Sequence, residues 1–168
     1  MNTQAESVPV HPERRIRIIS AAAAALTLLC MLSVGKSLVS FLSDILGDSV
    51  TFKVFSVFPN QLIWFAFMTA FLVLFVRIAA SGRPFTKPNI LILKIAGVIL
   101  ILDLILVPLC SIAVPAAIEG NRNLFQEILI PLLSNLNIYN ISEILIVMLC
   151  REIVYYGTML QTESDETL

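Results

Sequence analysis

Asp103, Glu143, Arg151 and Glu152 each stand inside a long run of mostly apolar residues, and Lys36 stands inside another. Charges so placed have two chemical uses. A carboxylate held away from water can pass a proton or a cation along a path, and opposite charges at equal depth can tie two helices together. Asp103 falls about eight residues beyond Ile95, hence ~12 Å into its run at ~1.5 Å per residue. Pro108, in the following turn, frees the carbonyl of Leu104 from its helical bond. Arg151 falls within about one helical turn of the same depth. These positions predict an ion pair of Asp103 with Arg151 between two helices. Lys36 and Glu143 form a second, weaker candidate pair towards the outer side, with Glu152 as a further charge. Opposite charges at matching depths favour the tying role over an ion path.

Other residue types offer less chemistry. The sequence contains no Gly-x-Ser-x-Gly, no His-Glu-x-x-His and no glycine-rich phosphate loop, so no nucleophile, metal-water or nucleotide chemistry is implied. Cys30, Cys110 and Cys150 lie in apolar runs and read as small hydrophobes. The one histidine, His11, lies in a polar stretch far from them in sequence, which gives no ligand spacing for a metal. Ser33 and Ser111 suit bonds to their own helix backbone. Small residues at Ser33, Gly35 and Ser37, and at Ala96 and Gly97, suit close helix contacts. The expectation is a protein without enzymatic activity, cofactor or metal.

The elements that carry these residues follow from composition. Of 168 residues, 58% are hydrophobic and 14% charged, against roughly 45–50% and 25% in average soluble domains. Mean hydropathy is +0.90. A disordered chain, a disulfide scaffold and an ordinary soluble enzyme are excluded, and a formal charge of −1 provides no global field for nucleic acid. About 20 apolar residues cross about 30 Å of hydrocarbon as a helix. Four runs qualify, at about 16–39, 62–80, 90–118 and 138–156, the last the most polar. Lipid offers no backbone partner, so each is helical. The first run exceeds the 7–15 residues of a typical signal-peptide core and lacks a clear small-x-small cleavage pattern, so it is expected to remain as a helix. The predicted fold is a single all-α domain, an integral membrane four-helix bundle.

Orientation follows from Lys and Arg near the ends of the runs. Arg14, Arg15, Arg17, Arg77, Arg83, Lys87, Lys94 and Arg151 fall on one side, against Lys36, Lys53 and Arg122 on the other. The richer side is the cytoplasmic one, so the tails 1–15 and 157–168 face inward. Of the outward stretches, 40–59 carries Phe52, Phe55 and Phe58 at a spacing that suits an interfacial helix, with a short strand as the alternative. The stretch 119–137 contains an amphipathic segment before Pro131. Both suit a plug over the outer end of the bundle.

Runs one–two and three–four each go out and return, which makes two parallel two-helix repeats a candidate organisation. Their cytoplasmic exits are alike. After run two comes Gly82-Arg83-Pro84-Phe85 with Asn89; after run four comes Gly157, then Leu160, Glu163 and Asp165. In each, glycine suits a left-handed helix terminator and a later apolar residue suits a contact back onto the last turn. The same stretches resemble the bacterial family named domain of unknown function 2975, small four-helix membrane proteins. The family pattern is a Gly-x-Pro-Phe turn after span two and a Gly-x-x-Leu-x-x-Glu-x-Asp ending after span four. Both patterns are present, and the likeness in layout covers nearly the whole chain. Arg151 and Glu152 depart from the more apolar stretch expected there.

The resemblance implies a multi-pass protein of the bacterial inner membrane with a regulatory or partner-binding role. Members are often encoded beside a small helix-turn-helix regulator, which makes a cytoplasmic DNA-binding protein the implied partner, with no direct contact to nucleic acid. The residues that carry the likeness, Gly82, Pro84, Phe85, Asn89, Gly157, Leu160, Glu163 and Asp165, are then the candidate surface. Basic juxtamembrane residues also serve orientation or meet anionic lipid. The alternative is a small transporter or channel component using Asp103, Glu143, Arg151 and Glu152. A tight four-helix bundle leaves little room for a pore, so transport would require a homo-oligomer.

Overall fold

The computed structural model describes residues 12–46, 53–110, 133 and 138–166. They form four helices: α1 (Pro12–Leu46), α2 (Lys53–Ser81), α3 (Lys87–Pro108) and α4 (Ile138–Glu166). Among the described residues there is no strand. The all-α bundle expected from hydropathy is the fold. His11, Phe52, Ser111, Arg122 and the amphipathic segment before Pro131 lie outside the described residues.

Each helix has a local reason. Pro12 opens α1, where its fixed φ fits and its missing N–H costs nothing. The alanines at 21–25 propagate it, alanine being the best helix former. α2 carries an aromatic ladder along one face. Trp64 meets Phe67, Phe67 meets Phe71 and Phe71 meets Phe75, with centroids 5.7, 4.9 and 5.8 Å apart. α2 begins at Lys53, so the helical alternative holds for Phe55 and Phe58 in the first outward stretch. Phe58 stacks on Phe41 of α1 at 5.9 Å.

Packing runs in chain order, α1 on α2, α2 on α3 and α3 on α4. Small residues allow the close approaches. Gly35 lies against Phe65, Ala96 is fully buried, and Gly97 lies against Val147. Ala96, Leu100 and Val147 form the buried cluster, flanked by Phe67, Ala70, Phe71 and Ile144. Beyond it, much large apolar surface is left outside, including Leu26, Leu29 and Leu32 of α1 and Leu145, Leu149 and Ile153 of α4. So small a core with so apolar a rim is stable only where the solvent is itself apolar.

Neighbouring helices are antiparallel. Gly82 of α2 meets Arg17 of α1, whereas Gln61 meets Ser37. Gly97 meets Val147, while Arg151 lies level with Lys94. Arg17 and Lys36 are therefore about 28 Å apart along α1 at ~1.5 Å per residue, close to the thickness of a bilayer's hydrocarbon. Three helices are long and apolar enough to cross a membrane, over Glu13–Ser43, Phe58–Ser81 and Lys87–Pro108. α4 has the length, at 29 residues, and is set apart from them by Glu143, Arg151 and Glu152.

One expected boundary changes. α4 does not stop at Gly157 but continues to Glu166. The only glycine with positive φ among the described residues is Gly82, at 71°. The two exits are thus not equivalent, and the repeat does not extend to them. Past Gly157 the chain returns to helix-compatible residues, and the hydroxyls of Thr158 and Thr162 donate to the carbonyls of Val154 and Thr158, at 2.7 and 2.9 Å.

Candidate functional site

At the end of the bundle that holds Arg17, the residues between α2 and α3 form a fixed turn. Gly82 takes the left-handed conformation, which a Cβ would strain. Its N–H donates to the carbonyl of Ile78 at 2.7 Å, closing α2. Arg17 lies across it, its Nε 2.8 Å from where a Cβ would stand. The Ser81 hydroxyl donates to the Arg77 carbonyl at 2.8 Å and accepts the Arg83 N–H at 3.2 Å. Asn89, in the first turn of α3, is 1% exposed. Its Nδ2 donates back to the carbonyl of Pro84 at 2.8 Å and, less closely, to that of Arg83 at 3.5 Å. Proline and asparagine thus hold one another in place: Pro84 offers a carbonyl without a competing N–H, and Asn89 spans the turn.

Phe85 leaves this turn and lies on α4. Its ring occupies the space where a side chain at residue 157 would begin, with Cε1 and Cγ 2.6 and 2.7 Å from the ideal Cβ position. Gly157 is therefore a seat, not a cap. The two motif stretches, far apart in sequence, meet at this contact. From it α4 projects for about two and a half turns with Leu160, Glu163 and Asp165 exposed. Tyr155 and Tyr156, both exposed and edge to face at 5.9 Å, mark the level at which α4 reaches the seat. Tyrosines of this kind suit a membrane–water boundary.

The charges within the apolar runs are arranged otherwise than the sequence suggested. Asp103 and Arg151 do not pair. Arg151 Nη1 instead lies 3.0 Å from Glu152 Oε1. The antiparallel register explains this, because Arg151 lies level with Lys94, about 13 Å along α3 from Asp103 at ~1.5 Å per residue. Asp103 Oδ1 is buried without a hydrogen bond; the charge nearest to it in effect is another carboxylate, Glu143, not a cation. Depth in this bundle is set by helix contacts such as that of Gly97 with Val147, not by distance from the ends of the apolar runs.

Lys36 and Glu143 do not pair either. Lys36 belongs to a cleft of about 430 Å³ between α1 and α2, with Ser33, Ser37 and Gln61, whereas Glu143 lies on α4, which packs on α3. Gln61 Nε2 donates to Ser37 Oγ at 2.8 Å across that cleft.

Sequence reasoning missed three participants: Arg17 over Gly82, Gln61 opposite Ser37, and Lys94 beside Arg151. Lys94 had a signal, as a cation within an apolar run no less placed than Asp103. Among the described residues, no group of His, Cys, Asp or Glu side chains could hold a metal ion. Comparison of the chain with protein-family models, with curated proteins and with solved structures finds no match.

Proposed function

We propose that this is a four-span membrane protein of the bacterial inner membrane that holds a small cytoplasmic helix-turn-helix regulator on its 82–89 turn and the end of α4. The observation that carries this reading is the seating of Phe85 on Gly157. It joins the two stretches that resemble domain of unknown function 2975 into one surface. α4 packs along α3, with Val147 and Ile144 at Ala96 and Leu100 and Arg151 level with Lys94, and a helix lying along a spanning helix shares its bilayer. The basic residues Arg17, Arg77, Arg83 and Lys87 then set this end inward by the positive-inside bias. Beyond the tyrosines, Glu163, Asp165 and Glu166 present negative charge. That charge complements the basic face with which such a regulator meets DNA phosphates. Capture on the membrane and binding to DNA would then compete.

The protein purified in mild detergent should retain a tagged regulator encoded beside its gene. Deletion of residues 162–168 should abolish retention, and raised salt should weaken it through screening. No retention, or a silent deletion, would remove the proposal. A second reading, a cation-conducting component, draws on the buried Asp103 Oδ1 beside Glu143. Under it Asp103→Asn would stop cation flux in reconstituted vesicles while the tail deletion left flux unchanged.

A further inference from the structure

Between α3 and α4, in the half of the bundle nearer Arg17, lies a narrow groove of about 160 Å³. Its floor is apolar, made by Gly97, Ile101 and Met148, and Lys94 and Arg151 line it too. Gly97 creates the groove, since the absence of a side chain lets the surface dip towards Val147. The charges at this level do not balance. Lys94 and Arg151 supply two cations, and Glu152 meets one of them through Nη1 alone. Arg151 Nε is buried without an acceptor, while the side chain as a whole is 39% exposed. Hydrocarbon offers nothing to an unpaired cation, so an anionic group reaching this depth would be held by both.

We propose that the groove binds one anionic phospholipid of the cytoplasmic leaflet, with its phosphate between Lys94 and Arg151 and an acyl chain along Gly97 and Ile101. Charge and shape both select this occupant. Lys94 lies about 10 Å into α3 from Lys87 at ~1.5 Å per residue. Its side chain leans towards the helix N-terminus, hence towards the headgroups. An apolar slot capped by two cations takes a lipid tail and a lipid phosphate together, and basic pockets between spanning helices on the cytoplasmic side are known lipid sites. The lipid would brace α4 just before the Phe85 seat, which makes the end of α4 responsive to membrane composition. This inference rests on α4 crossing the membrane as proposed above.

The test is native mass spectrometry of the delipidated full chain in mild detergent, titrated with phosphatidylglycerol or with phosphatidylcholine of the same acyl chains. The expected result is one retained phosphatidylglycerol, bound at least tenfold more tightly than phosphatidylcholine. Lys94→Gln should remove that preference, Lys94→Arg should keep it, and Arg77→Gln, outside the groove, should leave it unchanged. Gly97→Ala, which meets Val147 only at ordinary contact distance, should weaken retention of both lipids by filling the slot while the melting curve stays cooperative. Equal retention of the two lipids, or a preference that Lys94→Gln does not alter, overturns the proposal. So does a chain dimer that excludes lipid. If position 162 is found on the cytoplasmic side and lipid retention is unselective, the lipid site alone fails; if it is found outside, both readings fail.

Discussion

Gly157→Ala is expected to destabilise the protein, although glycine-to-alanine changes in helix interiors ordinarily stabilise. Two effects oppose each other. Helix propensity favours alanine by about 0.8–1 kcal/mol. Against that, the new Cβ would stand well inside the Phe85 ring, with Cε1 at 2.6 Å and Cγ at 2.7 Å. Overpacking of this kind costs about 1–3 kcal/mol, so it wins. The ring must leave its seat, and the 82–89 turn loses its hold on α4. Removing the ring should invert the sign: in a Phe85→Ala background, Gly157→Ala should stabilise by roughly the propensity gain. Thermal unfolding in detergent, followed by Trp64 fluorescence, measures all four corners of the cycle. A Gly157→Ala protein as stable as the parent would show that the seat is not formed.

Asn89→Leu should be damaging as well, although it keeps the branched shape and the number of heavy atoms of the side chain. Asn89 is 1% exposed and its Nδ2 donates to the Pro84 carbonyl at 2.8 Å. Leucine leaves that carbonyl without its donor, at a cost of about 1–3 kcal/mol. The damage should be local before it is global. Hydrogen exchange at the amides of Gly82 and Asn89, which donate to Ile78 and Thr86, should accelerate strongly, while amides near Leu100 in the buried cluster change little. Uniform acceleration through all four helices would contradict a turn-specific role.

Much of the fold is legible in the sequence because lipid leaves the backbone few choices. Hydropathy alone places α1, α2 and α3, and the small residues Gly35, Ala96 and Gly97 mark contacts that the structure contains. Legibility ends where a position depends on register between helices. Asp103 and Arg151 are matched by counting along separate runs. The Gly97 contact with Val147 instead sets Arg151 opposite Lys94. Gly157 shows the same limit differently. A glycine after an apolar run serves equally as a left-handed cap or as a seat for an aromatic ring, and only Phe85, far away in sequence, decides between them. Gly82 is the opposite case, since the prolines and Asn89 that follow make a helix end there the natural reading.

Both proposals depend on α4 crossing the bilayer, so that the seat, the basic turn and the acidic helix end share the cytoplasmic side. A single cysteine at Thr162, with Cys30, Cys110 and Cys150 replaced by alanine, tests this directly. Right-side-out and inverted vesicles of the host membrane are treated with a membrane-impermeant maleimide. Four crossings predict labelling of position 162 only in inverted vesicles, in step with a control cysteine at Arg83. Labelling of position 162 in right-side-out vesicles, with Arg83 labelled only in inverted ones, would contradict them.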